Sequence, residues 1–351
     1  MNVAAGTTTN PYVTRGLPRA LVFGAFVLVT LPLSAYLLTA GDDGRITLAG
    51  KPIAEIYFVL FGLTHFFLTF VVYLSASDVR HFASSRKNMF AFYLAPLVAL
   101  FGLALFYGLA LDARFALAGL VVSTIIRALD FHHLSRQSFG VLQLFKGKPL
   151  RQIPAWTRTA ENLFFMSLTM LMMLTFLSDL RYDARSPITL AFTAASAALL
   201  VVVLAGYSIG LRRGADRRQM AIALGYFAVQ TTSSLLAVWR TGLYTAALAV
   251  HYVEYHVIMA PRVFRTPADD RDRVLAALRR APLRLYAALV ALSAAFFFMQ
   301  RAQPGLATGH DGARLLVHLF DGIFVFHYVI EMSIWKFSDP YFRKRLGPLY
   351  M

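Results

Sequence analysis

The side chains of this sequence best placed to do chemistry are histidines and carboxylates set inside long apolar runs. Of nine histidines, His65, His132, His133, His251, His256, His318 and His327 fall in such runs or at their ends. There is no cysteine, so thiolate chemistry of every kind is excluded. Imidazole and carboxylate are the strong metal ligands that remain. An ionisable group buried in hydrocarbon is costly unless it is paired, hydrated or bound to a metal, so each of these residues is a functional candidate.

Their spacing is helical. Arg127, Asp130, His133 and Gln137 share one face, while His132 and Arg136 form a second pair four residues apart. The run His251-Tyr-Val-Glu254-Tyr-His256 puts His251 and Glu254 one turn apart. His318 with Asp321 and His327 with Glu331 repeat that relation. A carboxylate one turn from a histidine serves either as a further ligand or as the group that orients the ring. The metal candidates are thus His65, His132, His133, His251, His256, His318 and His327. Glu254, Glu331 and Asp130 are the candidate catalytic carboxylates, and Arg127, Arg136, Gln137 and Asp321 the supporting residues around them.

Depth along the helices sharpens the pattern. At about 1.5 Å per residue, His65 lies roughly 18 Å into its span, Asp130 about 22 Å, and His256 and His327 about 21 Å each. His132 and His133 sit about a turn deeper, and His251 and His318 a turn or two shallower. Imidazoles converging at one depth with carboxylates behind them suit iron, zinc, copper or manganese.

The elements that must hold these residues are membrane helices. The chain has 351 residues, 58% hydrophobic and only 15% charged, with a net charge of +16. An ordinary soluble domain carries about 25% charged residues. Apolar runs of about 20 residues occur near 19–40, 53–76, 88–111, 115–137, 159–179, 187–210, 219–239, 242–263, 282–300 and 313–335. These predict an all-α polytopic bundle of about ten spans forming one membrane domain over 1–351: an N-terminal segment 1–18, a bundle over 19–336 and a tail over 337–351. The first run is longer than a signal-peptide core, so it reads as an uncleaved anchor.

Sorting Lys and Arg onto alternate sides gathers most of them, from Arg15 and Arg19 to Arg343, Lys344 and Arg345, on the side of the N-terminus. Only Arg45, Lys51, Arg114, Arg181, Arg185, Arg240, Arg301 and Arg314 fall opposite. The positive-inside rule then places both termini in the cytoplasm, in a bacterial-type inner membrane. The same clusters make anionic lipid headgroups, not nucleic acid, the expected partner of the basic charge. Between the eighth and ninth spans, Thr266-Pro267 followed by Asp269 and Asp270 predicts the start of a short amphipathic helix on the inner surface. No phosphate-binding or dinucleotide-binding glycine motif is present, so no nucleotide cofactor is expected.

Gly62-Leu63-Thr64-His65, the histidines of the fourth span and the segment from His256 to Pro261-Arg262 resemble the Brp/Blh family of integral-membrane carotenoid oxygenases. That resemblance implies a catalytic non-haem iron held by histidines on several helices, and cleavage of a β-carotene-like substrate. The tail from His327 to Trp335-Lys336 is similar to an ending shared by bacterial multi-pass membrane proteins. The H-x-x-x-H and H-x-x-H-H boxes of membrane desaturases are missing.

The expectation is a metal-dependent oxidoreductase, foremost a non-haem iron oxygenase using dioxygen on a lipid-soluble small molecule. Zinc hydrolysis with Glu254 or Glu331 as base remains a variant of the metal reading. The alternatives are an electron carrier that binds haem b through paired histidines and a proton-coupled transporter whose buried acids and histidines form a relay.

Overall fold

In the computed structural model the described residues are 23–24, 26–27, 30, 47–48, 51–52, 56–110, 116–147, 150–178, 182–239, 244–265, 272–301, 311–336 and 338–350. About 90% of them are helical. The one extended feature among them is a two-residue antiparallel pair, Thr47–Leu48 with Lys51–Pro52.

The helices are α1 (Phe58–Leu74), α2 (Ala76–Phe82), α3 (86–110), α4 (Ala116–Lys146), α5 (Ala155–Leu177), α6 (Pro187–Arg212), α7 (Arg217–Trp239), α8 (Tyr244–Arg265), α9 (Arg273–Arg280), α10 (Pro282–Arg301), α11 (Asp311–Ile334) and α12 (Pro340–Tyr350). Local chemistry sets several of their ends. Ser186 caps α6 by accepting from the Thr189 amide at 3.4 Å, with Pro187 in the first turn, where a missing N–H costs nothing. The reversal between α6 and α7 runs through Gly214 at φ +81°, a backbone conformation open to glycine and strained for most other residues.

Among the described residues, four helices are long and apolar enough to cross a membrane, namely Leu117–Lys146, Pro187–Arg212, Arg217–Trp239 and Pro282–Met299. A fifth is added if α1 and α2 count as one broken span. The fold is therefore an all-α bundle with membrane-spanning capacity. Its outward faces carry Leu117, Leu120, Val201, Leu283 and Phe298, all more than 60% exposed, which is the surface a lipid environment tolerates.

Two boundaries differ from the sequence-based expectation. The fourth apolar run does not stop near 137 but continues as helix to Lys146, because Lys146 is neutralised within the bundle by Glu161 at 2.8 Å. The second run bends by 86° at Ser75, whose extended backbone (ψ 113°) ends α1 and whose hydroxyl caps α2. The expected surface helix between the eighth and ninth spans is present as α9, with Leu275 buried and Asp272 at its N-terminus. Residues 266–271, which carry the Thr-Pro signal, lie outside the described residues.

The core is aromatic. Phe66, Phe67, Tyr226, Tyr255, Phe296 and Phe82 are all buried, many in edge-to-face pairs such as Phe66 with Phe324 at 4.6 Å. α3 and α11 approach closely at Gly322, where an added Cβ would stand 2.7 Å from the Leu100 Cα. Small residues at such crossings let helix backbones pack without a hydrophobic driving force.

Candidate metal centre

Four helices deliver the site. His65 sits on α1 just past a wide π-type turn, Phe58–Leu63, a form that recurs at functional positions in helices. Gly62 in that turn leaves room for α8, since a Cβ there would lie 2.9 Å from the Tyr252 ring. α4 supplies His133, α8 supplies His251, and α11 supplies His327 with Glu331 one turn later.

The ring nitrogens of His65, His133 and His327 and a carboxylate oxygen of Glu331 gather so that one donor atom from each lies within 4.8 Å of the others. Glu331 Oε2 is 2.9 Å from His327 Nε2, 3.2 Å from His133 Nε2 and 3.9 Å from His65 Nε2. All four side chains are buried, His65 and His327 completely.

Glu331 Oε2, His133 Nε2, His327 Nε2 and both nitrogens of His65 are buried without a well-directed hydrogen bond, and the close histidine–glutamate contacts are ion pairs only where a ring is protonated. Buried polar atoms left unsatisfied cost about 1–3 kcal/mol each, so a cluster of them aimed at one point calls for a shared electrophile. Ligands about 2.1 Å from a tetrahedral ion stand roughly 3.4 Å apart, which lies within the observed spacing. The buried three-histidine, one-glutamate group could hold a metal ion.

Around it, hydrogen bonds fix the ligands. His327 Nδ1 lies 2.7 Å from Thr69 Oγ1, which also meets the Tyr255 hydroxyl at 2.6 Å. A proton on Nδ1 donated to Thr69 leaves the Nε2 lone pair pointing at the cluster, the tautomer a metal requires. The Tyr328 hydroxyl donates to Asp130 Oδ1 at 2.6 Å, and its ring lies against His133 with centroids 4.6 Å apart. Asp130 thus reaches the site through Tyr328.

His251 flanks the group, its ring 5.0 Å from that of His65 and 5.2 Å from that of His133, with Nδ1 unpartnered. Gln137 donates to the His251 carbonyl at 2.9 Å and to Glu254 at 3.2 Å. Glu254 also accepts from the Tyr226 hydroxyl at 2.6 Å. Its carboxylate is therefore engaged behind His251 and is not one of the four converging donors.

The remaining candidates lie elsewhere. His256 Nε2 is 3.0 Å from the Phe61 carbonyl and 3.1 Å from Thr64 Oγ1, tying α8 to the wide turn of α1. His132 and Arg127 are exposed on α4. Arg136 donates to Asn162 at 2.7 Å, away from the cluster. The side chains of His318 and Asp321 lie outside the described residues. Thr69, Tyr255, Tyr328 and Tyr226 were not singled out by the sequence reading. For Thr69 the available signal is its position one turn after His65 on the same face.

Just beyond the break that ends α1, a polar lock on α2 sets the register of these helices. Asp78 accepts from Tyr341 at 2.6 Å and pairs with Arg262 at 3.4 Å and Arg345 at 3.5 Å. Arg262 also donates to the Ile334 carbonyl at 3.1 Å, so α2, the ends of α8 and α11, and α12 are joined.

A cavity of about 950 Å³ reaches the cluster, with His133 and Glu331 in its wall. Comparison of the chain with known protein families, with curated proteins and with solved structures gives no match.

Proposed function

We propose that the protein is a membrane-embedded, metal-dependent oxidoreductase, a non-haem iron oxygenase that uses dioxygen on a lipid-soluble substrate. The observation that carries the reading is the convergence of four buried donor atoms, from His65, His133, His327 and Glu331, turned towards one another and not to any other side chain or carbonyl. Three imidazoles and a carboxylate suit a divalent first-row metal, iron included. Four donors aimed at one point favour a single ion over a haem, which takes its axial ligands from opposite faces.

Iron bound there would supply oxygen activation. The chain's own groups do the rest. His65, His133, His327 and Glu331 hold the ion, Thr69 keeps His327 in the ligating tautomer, and Tyr328 with Asp130 steadies His133. Phe66, Tyr252 and Tyr255 wall off water on the α1 and α8 side. The proposal extends to the setting: a bundle of about ten spans in a bacterial-type inner membrane, both termini cytoplasmic, with anionic headgroups against its basic loops.

The test is metal analysis with an absorption spectrum of purified full-length protein. Near-stoichiometric iron with no Soret band is expected. Metal-free protein from iron-replete cells, or a Soret band, refutes the reading.

A further inference from the structure

The large cavity is lined unevenly. Its wall includes Arg136, Arg151, Arg158 and Lys336, and Glu331 is the one carboxylate among its lining residues. Lys146 also lines it but is neutralised by Glu161 at 2.8 and 2.9 Å. Arg136 and Arg158 lie over the Phe139 ring at 5.6 and 5.9 Å. None of the four cations has an ion pair among the described residues. Unpaired cations gathered in a cleft with low-dielectric walls focus a positive potential that draws in anions.

The cations are spread along the wall. Arg151 precedes α5, beyond the C-terminal end of α4, which is 13 residues, or about 20 Å, from His133. Arg158, in the first turn of α5, shares the Phe139 ring with Arg136, and Phe139 is six residues, or about 9 Å, along α4 from His133. Phe139, Val141, Leu144 and Ile258 make the wall between them largely apolar, interrupted by Gln137 and Gln143. The cavity therefore joins cations, apolar surface and the ligand-bearing His133 and Glu331, and its size lies within the range of small-molecule sites.

We propose that this cavity binds an anionic amphiphile, with Arg151 and Arg158 on the acid group and the apolar part against Phe139, Val141, Leu144 and Ile258, beside His133 and Glu331. The substrate class is thus an apolar molecule with a carboxylate or phosphate head. This rests on the reading of the histidine–glutamate group as the reacting centre.

Trp335 lines the cavity and provides a reporter. Trp156 and Trp239, the other two tryptophans, are on the surface and are replaced by phenylalanine. Dibrominated stearate, its uncharged methyl ester and dibrominated phosphatidylglycerol are titrated into detergent-solubilised full-length protein, and quenching of Trp335 is followed. One of the two anionic probes is expected to quench at least tenfold more tightly than the ester. The better of the two identifies a free acid or a bilayer phospholipid as the source of the head. Arg151→Gln with Arg158→Gln is expected to weaken that probe about tenfold or more, as loss of charge-assisted hydrogen bonds does. The ester should be unaffected, and the paired Lys substitutions should retain most of the affinity. Equal quenching by ester and acids, or no effect of the double Gln variant, overturns the assignment.

Metal content measured in the same preparations separates the two readings. Charge-dependent quenching in protein that never holds metal refutes the metal centre and keeps the amphiphile site. Full metal with charge-blind quenching does the reverse.

Discussion

Replacing Thr69 by valine isolates one hydrogen bond behind the metal centre. The Thr69 hydroxyl is fully used: it stands 2.7 Å from His327 Nδ1, 2.6 Å from the Tyr255 hydroxyl and 3.4 Å from the His65 carbonyl. Valine keeps the shape but removes the acceptor from His327 Nδ1. Loss of the bond that orients a ligating histidine lowers metal affinity about 10–100-fold, or about 1.4–2.8 kcal/mol. The assay is competition with a chelator, with bound metal counted at each step and thermal unfolding followed in parallel. Thr69→Val should release metal at roughly one to two decades less chelator, Thr69→Ser should restore retention, and Tyr255→Phe should have the smaller effect because the His327 bond survives. If Thr69→Val unfolds at a lower temperature yet competes for metal as the parent does, the hydroxyl has only a packing role and the tautomer argument is wrong.

Glu331→Gln removes the only formal negative charge among the four converging donors. It should reduce bound metal to less than about a tenth while membrane insertion is unchanged, as read by metal analysis of the solubilised protein. His256→Ala should act on stability, because it strips the Phe61 carbonyl and Thr64 of a partner. A loss of about 1–3 kcal/mol with metal stoichiometry intact is expected, and loss of metal at full stability would contradict the placement of this histidine. Gly322→Val pushes a branched side chain into the Leu100 backbone and should destabilise the α3–α11 crossing by about 1–3 kcal/mol, visible as a lower unfolding temperature in detergent. Arg262→Met breaks the tie between Asp78 and the Ile334 carbonyl. Asp78 keeps Arg345 and the Tyr341 hydroxyl, so the loss should be about 1–3 kcal/mol and show as early proteolysis of the α11–α12 end.

The polar lock and the metal centre lie at the two ends of one short stretch. Ten residues separate His65 from Ser75, where α1 breaks, so the depth of His65 is set partly by the contacts of Asp78. Asp272, at the start of α9, gives its carboxylate not to its own helix but to the Ala76 amide at 2.5 Å. This cross-link adds to the hold on the bend.

Composition alone determined that this chain is helical with membrane-spanning capacity, since so apolar a sequence has no means of coating a soluble core. The absence of cysteine left histidine and carboxylate as the strong ligands. Helical periodicity paired His327 with Glu331, because residues four apart share a face whatever the surroundings. Periodicity is silent about which helices touch, and there the tertiary structure decided. His133 faces the cluster while its neighbour His132 faces outward, about 100° further round the same helix. His256 was matched in depth to His65 and His327, yet its ring turns to the Phe61 carbonyl exposed by the wide turn of α1. Glu254 is held by Tyr226 and Gln137 from two other helices. Depth along an axis can be estimated from a count of residues, but the rotation of each helix about that axis is set by packing against neighbours such as Leu100 at Gly322 and Tyr252 at Gly62, and those contacts are long-range.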